Sequence, residues 1–135
     1  MSEMGIGASV RRKEDDRLMR GLGCYVADIK RPNMCEIAFV RSPIAHGRIV
    51  EIEIPDGAAE RVFAGTDLSG VRPVRAVSTL DGFKASDYPP LALDKVRFVG
   101  EPVVMCLAET RAKAEDLAQD VFVDYDELPA ITTVE

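Results

Sequence analysis

His46 is the one histidine of this chain, and it sits in the connection Ser42-Pro43-Ile44-Ala45-His46-Gly47. Imidazole exchanges a proton near neutral pH, so a general base or a metal ligand is the first chemistry to weigh. No motif sets a Cys or Ser nucleophile beside it, and we read the ring as hydrogen-bonding backbone to fix its own loop. The three cysteines, Cys24, Cys35 and Cys106, are widely spaced with no Cys-x-x-Cys pair, which argues against a zinc site. Cys106 lies in an apolar run and reads as a small buried hydrophobe. Asp124, Asp126 and Glu127 could be imagined as paired carboxylates, but strand alternation puts Asp124 and Asp126 together on what reads as a solvated face. Gly21 and Gly23 invite a phosphate-loop reading, yet a third glycine and the strand–loop–helix order are missing, and turn geometry explains them better. Gly100-Glu101-Pro102 is the sharper signal. Glycine allows a tight bend, proline presets entry to the next strand, and Glu101 can accept bonds from the loop it faces. A buried, paired Glu101 would be a fold-defining device. No catalytic, cofactor-binding or metal-ligating residue is assigned.

Strands, turns and two helices must position these residues. Residues 1–10 are small and Gly-rich and read as an extended or mobile arm. A short N-terminal helix lies within residues 11–20, closed by Gly21 as its left-handed C-terminal residue. Residues 23–29 alternate and read as extended. Residues 34–40 form a strand with Cys35, Ile37 and Phe39 on one face. Residues 48–54 form another, with Val50, Ile52 and Ile54 sharing the apolar face and Ile49 on the other. Residues 55–61 read as a turn, residues 62–64 as a short strand, residues 66–70 as a capped turn and residues 80–93 as an irregular arm. The uninterrupted apolar run of residues 102–108 reads as a strand covered on both faces. Thr110 caps a C-terminal helix whose stripe is Ala114, Leu117, Ala118 and Val121. A strand over residues 121–125 follows, expected to pair in parallel with residues 102–108.

The 135 residues suffice for a single domain with its own core, built from aliphatic side chains since aromatics are 6% and Trp is absent. A net charge of -6 opposes phosphate and argues against a nucleic-acid partner. No apolar run reaches the length of a membrane span, the N-terminus lacks a secretory pattern, and a cytoplasmic location is the default expectation.

Four segments in order carry a resemblance to a known family. They are residues 6–29, with the pattern of Gly21, Gly23, Tyr25 and Asp28; residues 39–53, with Arg41, Ser42, Pro43, Ala45 and His46; residues 88–104, with Gly100, Glu101 and Pro102; and residues 114–131, with Tyr125. Together they resemble the N-terminal α/β-hammerhead domain of the molybdopterin-binding subunit of molybdenum hydroxylases, the xanthine dehydrogenase, aldehyde oxidase and aerobic carbon monoxide dehydrogenase family. The resemblance implies an α+β fold with a mixed sheet, one clear C-terminal helix and a short N-terminal one. Ile44 stands where that family commonly has His or Tyr, and Gly47 where it commonly has Ala.

In that family the pterin-contacting loops and the catalytic glutamate lie in later domains, so none is carried onto this chain, and residues 132–135 fall about where the hammerhead hands over to them. The resemblance implies a structural domain or small subunit, with no cofactor of its own, that packs on molybdopterin-bearing domains. Iron–sulfur and FAD subunits would be further partners. The rival reading is a stand-alone binding or assembly module without activity, which should lack exposed apolar patches; an independent enzyme using His46 is the weaker third.

Overall fold

The computed structural model describes residues 6, 7 and 9–133. The expected arm over residues 1–10 therefore lies mostly outside the described residues, as do the last two positions of the expected domain edge. The chain divides into two compact units, one up to Pro32 and one from Asn33 onward.

The first unit holds helix α1, Asp15–Met19, with Asp15 and Asp16 in its first turn, where a negative charge meets the positive end of the backbone dipole. It ends as its sequence predicts. Gly21 has φ +70°, the Gly21 N–H donates to the Leu18 carbonyl at 3.0 Å, and the Leu22 N–H donates to the Arg17 carbonyl at 2.9 Å. That pair of bonds satisfies carbonyls the helix leaves open. The expected extended stretch after Gly23 is corrected. Val26–Asp28 forms a single 3-10 turn, because the Asp28 carboxylate accepts the Tyr25 N–H at 2.9 Å and closes the backbone on itself.

The second unit contains β1 (Glu36–Arg41), β2 (Gly47–Glu53), β3 (Val62–Ala64), β4 (Val74–Arg75), β5 (Asp87–Tyr88), β6 (Lys95–Val96), β7 (Pro102–Ala108), α2 (Arg111–Asp120) and β8 (Phe122–Glu127). One sheet has the order β1-β7-β3, a second β6-β2-β8, and β4 and β5 make a small hairpin. The hairpin replaces part of the expected irregular arm, and Arg75 grips Asp87 across it at 3.0 and 3.1 Å.

The parallel pairing expected of β7 and β8 does not form. Both edges of β7 are taken antiparallel by β1 and β3, so the chain leaving α2 must join the other sheet, where β8 pairs antiparallel with β2. Helix α2 is thus a bridge between sheets. The Lys113 N–H donates to Thr110 Oγ1 at 3.3 Å at its start, and Ala114, Leu117 and Val121 are buried along its stripe.

The shared face of Cys35, Ile37 and Phe39 is present and is the outer one, while the faces of β2 differ from expectation. In β1 it is Ala38 and Val40 that face inward, level with Cys106 and Val104 of β7, while Ile37 and Phe39 remain 48% and 40% exposed. The inner layer lies under α2, where Leu117 joins Val62, Val104 and Cys106 in one cluster, and small residues suit that close approach. In β2 the register shifts between Ile49 and Glu51, so one residue bulges. Ile49 and Ile52 therefore both pack on the core and Val50 is left 60% exposed, breaking the simple alternation. Residues 55–61 form tight turns, with Gly57 at φ +73° and the Ala58 N–H bonded to the Pro55 carbonyl.

Cys106 is fully buried, and burial pushes its thiol above the ordinary 9.0. The folded chain holds this proton at pH values where the unfolded chain has released it. The unfolded state then binds fewer protons, so the contribution is complete below pH 9 and is lost as pH rises beyond it. We expect the unfolding free energy to fall above pH 9 by up to about 1.4 kcal/mol per pH unit. A Cys106→Ala chain should be less stable throughout but show a flatter profile between pH 9 and 10, read from urea unfolding at each pH. Equal slopes in the two chains would rule out this assignment.

Candidate functional site

The motif residues of the second unit converge on the ends of β1, β7 and β8. Past the bulge at Val40 and Arg41, Ser42 continues the pairing with the turn before β7. The Ser42 N–H donates to the Glu101 carbonyl at 2.9 Å, and the Gly100 N–H donates to the Ser42 carbonyl at 2.8 Å. Gly100 has φ +89°, in the left-handed region, which is the backbone reason for glycine there. The Arg41 guanidinium donates to the Gly100 carbonyl at 2.9 Å and lies over the Phe39 ring at 5.4 Å.

Glu101 is the buried charge of this cluster, 3% exposed. Its Oε2 accepts the Arg97 N–H in a short bond, and its Oε1 lies 3.7 Å from the Arg97 guanidinium, which also reaches Asp94 at 3.6 Å. The carboxylate ties the residues 97–101 turn together from inside. Tyr88 and Phe98 stack above this turn with centroids 6.0 Å apart. Desolvation and the neighbouring Glu101 push the Tyr88 phenol up, against Arg41 and Arg97.

Ser42 is buried, and its hydroxyl donates to the Ile44 carbonyl at 2.8 Å while accepting the Ile44 N–H at 3.2 Å, a closed local turn. Pro43 between them is exposed. Tyr125 Oη is shielded from solvent and completes no hydrogen bond among the described residues. Burial pushes its phenol up, with the Ser42 hydroxyl opposing, so the two groups are neighbours even though Ser42 is committed to Ile44. His46 Nδ1 lies 2.8 Å from the Pro129 carbonyl, and the Leu128 N–H donates to the His46 carbonyl at 2.9 Å. The ring and backbone of His46 together pin the segment after β8. Asp124 and Asp126 are exposed side by side on β8.

Gly21, Gly23, Tyr25 and Asp28 belong to the first unit and are accounted for by its own turns. Among the described residues, no three His, Cys, Asp or Glu side chains are grouped to hold a metal ion. The arrangement locks three strand ends and leaves Phe39, Tyr88, Phe98 and Val99 partly open to solvent around it.

Gly47 and Ile44, two positions the sequence marks as unusual, prove to be a packed pair. A Cβ on Gly47 would collide with Ile44 Cδ1 and come within 3.0 Å of the Asp126 carbonyl. Ile44 occupies the space an alanine would need. Gly47→Ala is expected to cost about 2 kcal/mol alone and about 1 kcal/mol in an Ile44→Ala background. Thermal unfolding of the four chains of this cycle checks it, and additivity within error would refute the pairing.

A family model described as aldehyde oxidase and xanthine dehydrogenase, a/b hammerhead domain, matches residues 20–129. The nicotine 6-hydroxylase large subunit of Paenarthrobacter nicotinovorans is 39% identical over 132 residues, covering 93% of this chain and 16% of that protein. The carbon monoxide dehydrogenase large chain of Hydrogenophaga pseudoflava is 38% identical over 127 residues, covering 88% of this chain and 15% of that one. Among solved structures, quinoline 2-oxidoreductase from Pseudomonas putida 86 superposes with a TM-score of 0.86 at 42% identity, over 93% of this chain and 16% of the other. The chain thus spans a small fraction of the length of each relative.

Proposed function

The chain belongs to the aldehyde oxidase and xanthine dehydrogenase a/b hammerhead family, and from that membership we propose that it is a structural domain or small subunit of a molybdenum-dependent hydroxylase. It packs on the domains that carry the molybdopterin and shapes their access channel and subunit contacts. The assembled enzyme oxidises an aldehyde, an N-heterocycle or carbon monoxide, with iron–sulfur and FAD subunits as further partners, in the cytoplasm. No helix among the described residues is long and apolar enough to cross a membrane.

The observation that carries this reading is the agreement of sequence and fold with one segment of several much longer oxidoreductase chains. Two features of the molecule support the structural role. The motif residues are engaged in locking turns, with Glu101 holding the Arg97 N–H and His46 lying against the Pro129 carbonyl. Large apolar side chains also remain in the open on β1, β2 and β8, among them Ile37, Phe39, Val50 and Phe122. A packing domain would hide these against its neighbours, whereas a stand-alone module has no use for them.

A tagged chain expressed in its native host tests the proposal. Recovery of a larger polypeptide with molybdopterin in fixed ratio is the expected result. A tagged chain that elutes alone, monodisperse and without affinity for a hydrophobic-surface dye would instead support the stand-alone module.

A further inference from the structure

The edge of β1 offers a place for a strand that the described residues do not supply. β1 pairs with β7 on one side, and no strand among those described pairs with its other edge. Exposed edges are commonly blunted by proline, lysine or an inward charge. The middle of β1, Ile37, Ala38, Phe39 and Val40, has none of these, while Glu36 opens the strand on its inward face and the bulge and Arg41 close it. A groove of about 460 Å³ runs along this edge, with Ile37, Phe39 and Arg41 on one wall and Arg111, Glu115 and Gln119 of α2 on the other.

The two walls differ in chemistry. On the sheet's outer face, Phe39, Met105 and Phe63 stand in one row across β1, β7 and β3, and Ile37 pairs with Leu107 beside them. That row is apolar and partly open. On the α2 side, Arg111 Nε donates to Glu115 Oε1 at 2.7 Å, so the charges offset one another and the wall is polar without favouring either sign. A strand laid along β1 would continue the apolar row with every second residue and turn the others toward α2.

We propose that an extended segment of the cofactor-bearing polypeptide adds to β1 as a fourth strand, with alternate apolar residues extending the Phe39–Met105–Phe63 row. The inference rests on the function proposed above. The occupant follows from length: this fold is 16% of the related nicotine hydroxylase subunit and of the quinoline oxidoreductase chain, which leaves most of each polypeptide outside it. Main-chain bonds along the edge would supply affinity, and the apolar row would set the register.

The test is hydrogen exchange on the tagged chain, free and in the molybdenum-bearing complex purified from the host, alongside Phe39→Lys and, as control, Val77→Lys on the exposed loop. The β1 amides should exchange roughly tenfold or more slowly in the complex. Phe39→Lys should reduce recovery of the molybdenum-bearing chain about tenfold, while Val77→Lys recovers it as the parent does and both variants keep the parent circular dichroism. A molybdenum-bearing complex in which the β1 amides exchange as in the free chain overturns the added strand and leaves the proposed function standing. Failure to recover any molybdenum-bearing partner overturns both. Protection of β1 that appears with rising concentration of the chain alone would assign the edge to a second copy, and equally overturns the proposal.

Discussion

Truncating Glu101 to alanine is expected to lower the unfolding free energy by about 3 kcal/mol, among the largest losses available to a single side chain here. The carboxylate is buried inside a turn whose backbone it holds, since the Arg97 N–H has it as acceptor. Removing it leaves a donor facing a small void, and an unsatisfied donor costs more than the bond itself contributes. The ion pair with Arg97 adds little, because that guanidinium is half in solvent and long at 3.7 Å. Glu101→Gln separates the two contributions. It keeps an oxygen for the Arg97 N–H and removes the charge, so its expected cost is about 1 kcal/mol. Urea midpoints at unchanged slope would measure both. A loss for the alanine variant no greater than for the glutamine one would show that water reaches the turn and the carboxylate is dispensable.

Gly65→Ala is the second large effect, about 3 kcal/mol or failure to fold at 37 °C. A Cβ here would collide with the Ala92 carbonyl oxygen and lie 3.1 Å from Leu93 Cδ2. The obstacle is backbone, and it cannot step aside, because the Ala92 N–H is itself bonded to the Pro102 carbonyl at 2.8 Å. Gly70 supplies the control. Its added Cβ would meet nothing within 4 Å, so Gly70→Ala should be neutral or stabilising by a few tenths of a kcal/mol through the unfolded chain. Equal effects at the two positions would mean that the loop after β3 relaxes freely.

Gly65 also shows where sequence reasoning stops. Its partner is 27 positions away, and nothing local in Ala64-Gly65-Thr66 announces a contact with Ala92. Features governed by a few neighbouring residues were legible. The α1 stop at Gly21, the Thr110 cap, the stripe of α2 and the turns over residues 55–61 all follow from local patterns and are present. Features governed by the partner across space were not. Periodicity finds two faces on β1, with Ile37 and Phe39 sharing one of them, but cannot say which one α2 will cover. A bulge is equally invisible, because β2 alternates well until Val50 is displaced to keep both Ile49 and Ile52 inward. The strand–helix–strand spacing after Pro102 suggested a parallel pair; the β7 edges were already filled by strands far away in sequence.

The hammerhead family was legible from four motif segments, and the family match over residues 20–129 bears that out. The geometry then explains what those motif words do in the second unit. Ser42, Gly100 and Glu101 form one bonded turn cluster beside Tyr125, and His46 ties the chain after β8. What no motif shows is that β1 lies at the edge of its sheet among the described residues, because an edge is defined by pairing across space.

Elemental analysis for molybdenum tests the central claim most directly, applied to the chain purified alone and to whatever complex it forms in its host. The account predicts no stoichiometric molybdenum in the isolated chain and stoichiometric molybdenum in the complex, carried by the larger polypeptide. Stoichiometric molybdenum retained by the isolated chain would contradict it, since the residues described here would then have to hold the cofactor themselves.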